Sequence, residues 1–187
     1  ALLAVLRSHP AASDTASSTL LARHDAALRH ARGDAGVLDP LPVDERIAVL
    51  GIVSSAVANL GRLDESAAAY DAALALAAPG LPDGSPALRS LAVAGNNLAS
   101  VLEELPARTP AQSDAMLRAA QGGLVYWRRA GGWLEEERAE HRWASCLLTA
   151  GDTAGAATHA QACLAVCQRS SAPPFEHFFG WALLARA

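Results

Sequence analysis

The sequence predicts an all-α protein that folds as a stack of antiparallel helix hairpins. Hydrophobic residues make up 51% of the 187 residues and aromatic residues only 5%. Ala and Leu, which dominate the composition, are strong helix formers. Apolar residues recur at helical spacing between Gly and Pro breakers. The chain is also long enough to bury a core of its own, so we treat residues 1–187 as a single α-solenoid domain.

The first half of the sequence predicts three long helices separated by short breaks. The spacing predicts the first over residues 14–32, followed by a proline-containing loop over 36–42. Two more helices are predicted over 43–60 and 64–78. Because only about three residues separate these two helices, they have to pack antiparallel as a hairpin.

The second half repeats this plan with five more helices. Proline stands at the favoured first position of three of them, and glycines separate the others. The predicted ranges are 85–105, 109–130, 133–150, 153–169 and 173–187. The total is eight principal helices, and we expect one more in the apolar opening segment of the chain.

A pattern of small and aromatic residues recurs along the chain. A turn residue, Gly61, is followed by the small residue Ser66, then by Tyr70, and then by Ala73. The same frame returns later as Gly151, Ala156 and Ala160. Small residues at such positions let helix axes approach each other, while larger side chains fill the grooves between them. We therefore interpret these seven residues as the ones that pack the helix pairs together.

Within residues 50–79 this pattern resembles the tetratricopeptide repeat, including Pro79 where that family ends its second helix. The resemblance implies a right-handed α-α superhelix in which each hairpin covers the apolar surface of the next. The sequence departs from the family pattern at Leu50 and Ser54, where a Trp and a Gly are usual. The frames begin at positions 20, 66, 115 and 156, farther apart than the roughly 34 residues of a standard repeat, and this wider step also suits HEAT-like solenoids.

The resemblance also implies a function, because superhelices of this kind present a concave groove to peptides. Some members clamp a peptide carboxylate with Lys, Arg and Asn, whose donors match it. The corresponding candidates here are Asn59, Asn96, Arg138 and Arg142. Gly51 and Ser55 depart from such a clamp. The charged run around Arg138 also fits a solvated helix face with ion pairs.

The last predicted helix carries apolar residues round most of its surface. Phe175, Phe178 and Phe179 lie on one face and Trp181 on another. Because terminal repeats normally keep a polar outer face, we expect a cover for this helix, either a second copy of the chain or a further segment. An opening at Ala1 without an initiator Met is also what a trimmed protein shows.

The spacing of His159, Cys163 and Cys167 puts three potential ligands for zinc or copper on one helical face. In the recurring frame, however, Cys163 coincides with Ala73, which is a core position. We therefore expect buried, small side chains at this place rather than metal, and we predict no cofactor.

The remaining features argue against catalysis and against several classes of partner. Cys146 and His141 lie on one helix and point in different directions, and the sequence has no phosphate-binding loop or serine elbow. A net charge of −4 offers no basic surface to nucleic acid, and no apolar run reaches the ~18 residues of a membrane span. An odd number of cysteines on predicted helices fits a reducing cytoplasm, and the lack of lysine indicates a GC-rich bacterial genome.

We therefore predict a cytoplasmic, non-catalytic module that binds a protein or peptide and pairs with itself through its C-terminal helices. One alternative is a sensory or regulatory helical segment of a larger protein, which a second domain in the full reading frame would favour. The other is a metal- or small-molecule-dependent enzyme, which a cluster of polar residues buried in a cleft would favour.

Overall fold

The computed structural model describes residues 14–187 together with Ala4 and Ser8. Within these residues the regular secondary structure is entirely helical, which confirms the all-α class. The eight α-helices of this part are α1 (Thr15–Ala31), α2 (Val43–Ala58), α3 (Leu63–Ala77), α4 (Pro86–Glu103), α5 (Pro110–Ala130), α6 (Trp133–Thr149), α7 (Thr153–Arg169) and α8 (Pro174–Leu184). The further helix expected in the opening segment depends on residues outside this part. None of the described helices is long and apolar enough to cross a lipid bilayer.

Local signals set the ends of these helices. Thr109 and Gln112 form a capping box in which each side chain bonds to the backbone of the other, and this box starts α5. Gly61 and Gly151 end α2 and α6 with φ angles of 75° and 89°, a left-handed conformation that favours glycine. These capping residues and glycines can be recognised in the sequence, so the helix bounds lie within a few residues of those expected.

One predicted loop has more structure than expected. Residues 36–42 are predicted to form an irregular loop, but a 3-10 helix, Ala35–Leu38, includes the first three of these residues. Val37 is 9% exposed and joins the apolar cluster of α1 and α2, which also contains Ala26 and Val49. Leu38 and Leu41 pack against the same cluster, and Arg46 donates to the carbonyl oxygens of Asp39 and Leu41, so this segment has contacts that its prolines and glycines did not indicate.

The helices pack mainly on their neighbours in the chain. The three most extensive contacts join α2 to α3, α4 to α5, and α6 to α7. Between these pairs, α2 packs on α4, α4 packs on α6, and α6 packs on α8. The even-numbered helices therefore form one row, with α1 packed against α2 at one end and α8 packed against α6 and α7 at the other.

Tyr70 lies in the main apolar core, where it joins α3 to α4 and α5. Its side chain is 1% exposed, and its hydroxyl donates to the Leu91 carbonyl oxygen at 3.3 Å. Gly95 and Gly122 leave room for this hydroxyl, since a Cβ at either position would overlap with it. Helix-interior glycines normally destabilise a helix by about 1 kcal/mol relative to Ala, and here they make space for the buried ring.

The other non-glycine residues of the recurring pattern are also buried, namely Ser66, Ala73, Ala156 and Ala160. Ser66 donates to the Ser54 carbonyl oxygen at 2.8 Å, and the two hydroxyl oxygens lie 3.1 Å apart. Because the Ser66 proton is already used, Ser54 donates to Ser66 across the second contact. These two hydrogen bonds hold α2 against α3.

Candidate functional site

An open groove of about 650 Å³ lies between α1, α2 and α4. Small residues bring α2 and α4 close together at its floor, where a Cβ added at Gly51 would lie 3.3 Å from the Ala94 Cβ. The other residues that line the groove are Leu20, Arg23, His24, Ala48, Ile52, Ser55, Ala56, Asn59, Pro86, Arg89, Ser90 and Val93. The groove thus combines two helices of the even-numbered row with one face of α1.

Apolar side chains on two walls of the groove are accessible. Leu20 of α1 is 53% exposed and Val93 of α4 is 38% exposed, while Ile52 of α2 is half-buried. An apolar ligand side chain that covers this surface would gain about 25 cal/mol for each Å² removed from water. The groove is therefore suited to a ligand that carries at least one apolar side chain.

Arg89 supplies an accessible positive charge at the edge of this groove. Its guanidinium carbon lies 5.0 Å from the centroid of the Trp127 ring, a cation–π contact that orients the side chain. The described residues form no ion pair with it. By contrast, Arg23 donates two hydrogen bonds of 2.7 and 2.6 Å to Glu45, and these hold the pKa of that carboxyl below its usual range. The Arg89 charge helps to lower the pKa of Glu135, but no ion pair occupies its guanidinium among the described residues, so its donors can receive a carboxylate from a ligand.

The structure places one of the two predicted asparagines in the groove. Asn59 is exposed at the end of α2, and it also borders a smaller cavity of about 190 Å³ with Asn97 and Ser100. Asn96 is half-buried, and its backbone nitrogen packs against α5 at Gly123. The sequence pattern did not single out Asn97, which lines this smaller cavity. It lies seven residues after Ser90 and four after Val93, so the helical spacing puts it on the same side of α4 as those two groove residues.

The two predicted arginines lie outside the groove and already have partners within the chain. Arg142 is half-buried and forms a close ion pair with Glu103 of α4, to which Ser145 also donates a hydrogen bond. Arg138 is 64% exposed and lies 3.7 Å from Glu176 of α8. These contacts connect α6 to α4 on one side and to α8 on the other.

The three potential metal ligands of α7 do not act as one group. His159 Nδ1 lies 2.7 Å from Glu140 Oε2, and Arg128 pairs with the other oxygen of the same carboxylate. Cys163 and Cys167 instead face Glu137, and Cys163 Sγ donates to Glu137 Oε1 at 3.1 Å. All three side chains face the neighbouring helix α6, but the histidine and the two thiols contact different glutamates of that helix.

The aromatic residues of α8 divide into an exposed and a packed set. Phe175, Phe178 and Trp181 are 66%, 63% and 59% exposed. Phe179 is half-buried, and its ring makes an edge contact with His141 at a centroid distance of 5.5 Å. Phe179 therefore belongs to the contact between α8 and α6, and the other three form what we call the α8 aromatic face.

The environment of the third cysteine is unfavourable for nucleophilic chemistry. Burial raises the pKa of the Cys146 thiol to about 12, and the nearby Glu103 charge adds to this effect. Burial also lowers the pKa of His141, which keeps that ring neutral. A thiol that stays protonated at neutral pH is a poor nucleophile.

In comparisons with known proteins, no family model matches this chain, and no curated protein or solved structure matches it significantly. Its function is therefore inferred from the side chains and surfaces described above.

Proposed function

We propose that this chain is a non-catalytic module that binds a protein or peptide in the groove between α1, α2 and α4. The observation that carries the proposal is the accessible apolar lining of this groove next to Arg89, whose charge has no ion-pair partner in the described residues. The free, buried cysteines fit the reducing cytoplasm as its location, which is part of the same proposal.

The scaffold in this proposal is a right-handed, tetratricopeptide-like stack of hairpins. Its support is the order of helix contacts, in which each hairpin packs on the next: α2 packs on α4, and both α4 and α5 pack on α6. In such a stack the first helices of successive hairpins line the inner surface. Two of these helices, α2 and α4, contribute most of the groove residues.

The ligand we expect is a peptide segment that combines an apolar side chain with a carboxylate. Leu20 and Val93 provide the apolar contact, and Arg89 provides a planar fork that binds a carboxylate through two hydrogen bonds. Asn59 adds a hydrogen-bonding amide at the far end of α2. The carboxylate belongs either to an acidic side chain or to a peptide C-terminus, and amidated peptides distinguish the two.

A peptide-display selection on the purified chain tests this function. Ala56 is exposed in the groove, so Ala56→Trp places a large ring where the ligand would lie. We expect the wild type to enrich acidic peptides with an apolar anchor, and Ala56→Trp and Arg89→Ala to weaken their binding by more than about tenfold each.

The matched control is Ala165→Trp, the same substitution at an exposed position of α7 outside the groove. It should leave peptide binding unchanged. The proposed function is wrong if no peptide is enriched on the folded wild type, or if the selected peptides bind Ala56→Trp as tightly as they bind the wild type.

A second partner is supported by the α8 aromatic face. Three large, mostly exposed rings lie on one short helix, and clustered exposed apolar side chains often mark an interaction surface. We propose that a second copy of the chain covers this face, with α8 packed against its counterpart in an isologous contact.

A further inference from the structure

A cluster of three buried side chains that can bind metal lies between α6 and α7. Glu137, Cys163 and Cys167 each offer one ligand atom, and these atoms lie within 4.8 Å of one another. All three residues are 0% exposed. Cys163 and Cys167 are one helical turn apart, so their thiols face the same carboxylate.

The neighbouring Glu140 shows how this chain normally accommodates a buried carboxylate. Glu140 is 1% exposed, and its two oxygens are paired with Arg128 and His159. A buried carboxylate is stable when such partners replace the water it has lost. Side chains of α5 and α7 therefore supply Glu140 with a cationic partner and with a hydrogen-bond partner for each oxygen.

Glu137, one turn earlier on α6, does not have a partner for each of its oxygens. Its Oε1 accepts from Cys163, but its Oε2 is buried without a hydrogen-bond partner among the described residues. Among the described residues, no cationic side chain forms an ion pair with Glu137. A buried carboxylate oxygen without a partner, next to two thiols, is a set of metal donors without a cation. We propose that Glu137, Cys163 and Cys167 bind a Zn²⁺-class metal ion.

The donor set and its spacing fit this ion. Zinc prefers thiolate sulfur at ~2.3 Å and carboxylate oxygen at ~2.0–2.2 Å in a tetrahedral arrangement. Ligand atoms around such a centre are about 3.4–3.8 Å apart, so atoms already within 4.8 Å of one another need only small side-chain rotations. Two thiolates also favour zinc over magnesium and calcium, which take oxygen ligands.

Glu176 of α8 is the candidate for a fourth ligand. Its Oε2 is also buried without a hydrogen-bond partner among the described residues. Its charge also raises the pKa values of Glu137 and Cys167, although its oxygens are not among the ligand atoms that lie within 4.8 Å of one another. Arg138, 3.7 Å from the other oxygen of Glu176, would offset part of the negative charge of the ligands. A metal ion held in this way would tie α6, α7 and α8 together.

Metal binding at this cluster releases protons. Burial raises the pKa of the Cys163 thiol, so this thiol is protonated in the metal-free protein at neutral pH, and burial also raises the pKa of the Glu137 carboxyl group. Zinc replaces one proton on each thiol, and no electron is transferred. Affinity should therefore increase with pH.

Metal titration of the reduced 187-residue chain tests the proposal. Co²⁺ serves as the spectroscopic probe, because thiolate ligation gives a near-ultraviolet charge-transfer band, and Zn²⁺ is then added in competition. Since the three residues are buried, metal is added both to the native protein and during refolding. We expect about one equivalent to bind with a thiolate band, and Cys163→Ala and Cys167→Ala each to weaken binding by more than about 100-fold.

The matched control is Cys146→Ala, which removes the third buried cysteine and leaves the cluster intact. It should bind metal like the wild type, and so should His159→Ala, because that ring pairs with Glu140 instead. The proposal is overturned if the folded wild type binds no metal by either route, or if the Cys163→Ala, Cys167→Ala double variant keeps the thiolate band. Circular dichroism confirms that each variant is folded.

Discussion

Two glutamates one turn apart on α6 show how much the surroundings of a single residue matter. Both Glu137 and Glu140 are completely or almost completely buried, in a sequence run that reads as a charged, solvated helix face. Glu140 has a guanidinium and an imidazole as partners, whereas Glu137 has one thiol. The cost of burying the same side chain is thus offset by partners at one position and left largely uncompensated at the other.

This difference predicts an effect of pH on the metal-free protein. Burial, with the nearby Glu176 charge, raises the pKa of Glu137 above its ordinary value of 4.5. Because the folded state binds this proton more tightly than the unfolded chain, Glu137 reduces stability as the pH rises above 4.5 and through the folded-state pKa. Glu137→Gln cannot ionise, so we expect it to raise the melting temperature at about pH 8 and to change it little at about pH 4.

Thermal unfolding in the presence of a chelator measures this effect. Each kcal/mol gained corresponds to about 2–4 °C for a chain of this length. Glu104→Gln is the control, since Glu104 is exposed on the end of α4, and we expect it to leave the melting temperature nearly unchanged at both pH values. An equal effect of Glu137→Gln at both pH values would show that the carboxyl group does not titrate as inferred.

At the scale of elements, α8 differs from the other helices in what it leaves uncovered. Gly180 and Leu183 pack it against the preceding helices, and the Gly180 position is so close to Leu164 that a Cβ would overlap with it. On the opposite side Phe178 and Trp181 are mostly exposed. In a stack of hairpins each helix is normally covered on both sides, and in the described residues α8 is covered on one.

We expect the α8 aromatic face to mediate self-association. Phe178→Glu and Trp181→Glu introduce charges into a contact that depends on apolar burial, so together they should weaken the dimer by more than about tenfold. Sedimentation equilibrium over a range of concentrations measures the constant. Val125→Glu is the control, because Val125 is 48% exposed on α5, away from α8. A wild type that stays monomeric at high concentration would contradict the pairing.

At the scale of the whole molecule, stability is expected to be uneven along the stack. The main core is formed by α2 to α5, and its fully buried side chains include Tyr70, Leu98 and Met116. By contrast, α1 packs mainly on α2 and the 3-10 helix, and only Ala26 and Ala27 among its residues are buried. In a solenoid each element depends on its nearest neighbours, so an end with few contacts opens first.

Hydrogen exchange measures this difference. We expect the amides of α1 to exchange at least about tenfold faster than those of α4 and α5, because local opening of α1 exposes little apolar surface. Since α1 forms one wall of the groove, a peptide bound there should slow its exchange. Equal protection of α1 and α4 in the free protein would show instead that the chain unfolds as one cooperative unit.

Much of the fold could be predicted from the sequence, because local rules govern it. Glycine and proline breakers, helix caps and the spacing of apolar residues determined the helix bounds, and the short links determined which helices pair. The small residues at Ala156 and Ala160 were identified from the recurring pattern alone and are buried. The site was predicted less well, since Arg142 is already paired with Glu103 and Asn96 packs towards α5.

The sequence by itself determined the all-α class, the order of the helices and the face of α7 that carries Cys163 and Cys167, since these depend on contacts within one helix. Only the tertiary structure decided that His159 pairs with Glu140, that Glu137 joins the two thiols, and that Leu20 and Arg89 border the same groove. Helical periodicity gives the direction of a side chain relative to its own axis. Which side chain of another helix it meets depends on how the helices pack, and that is a property of the whole stack.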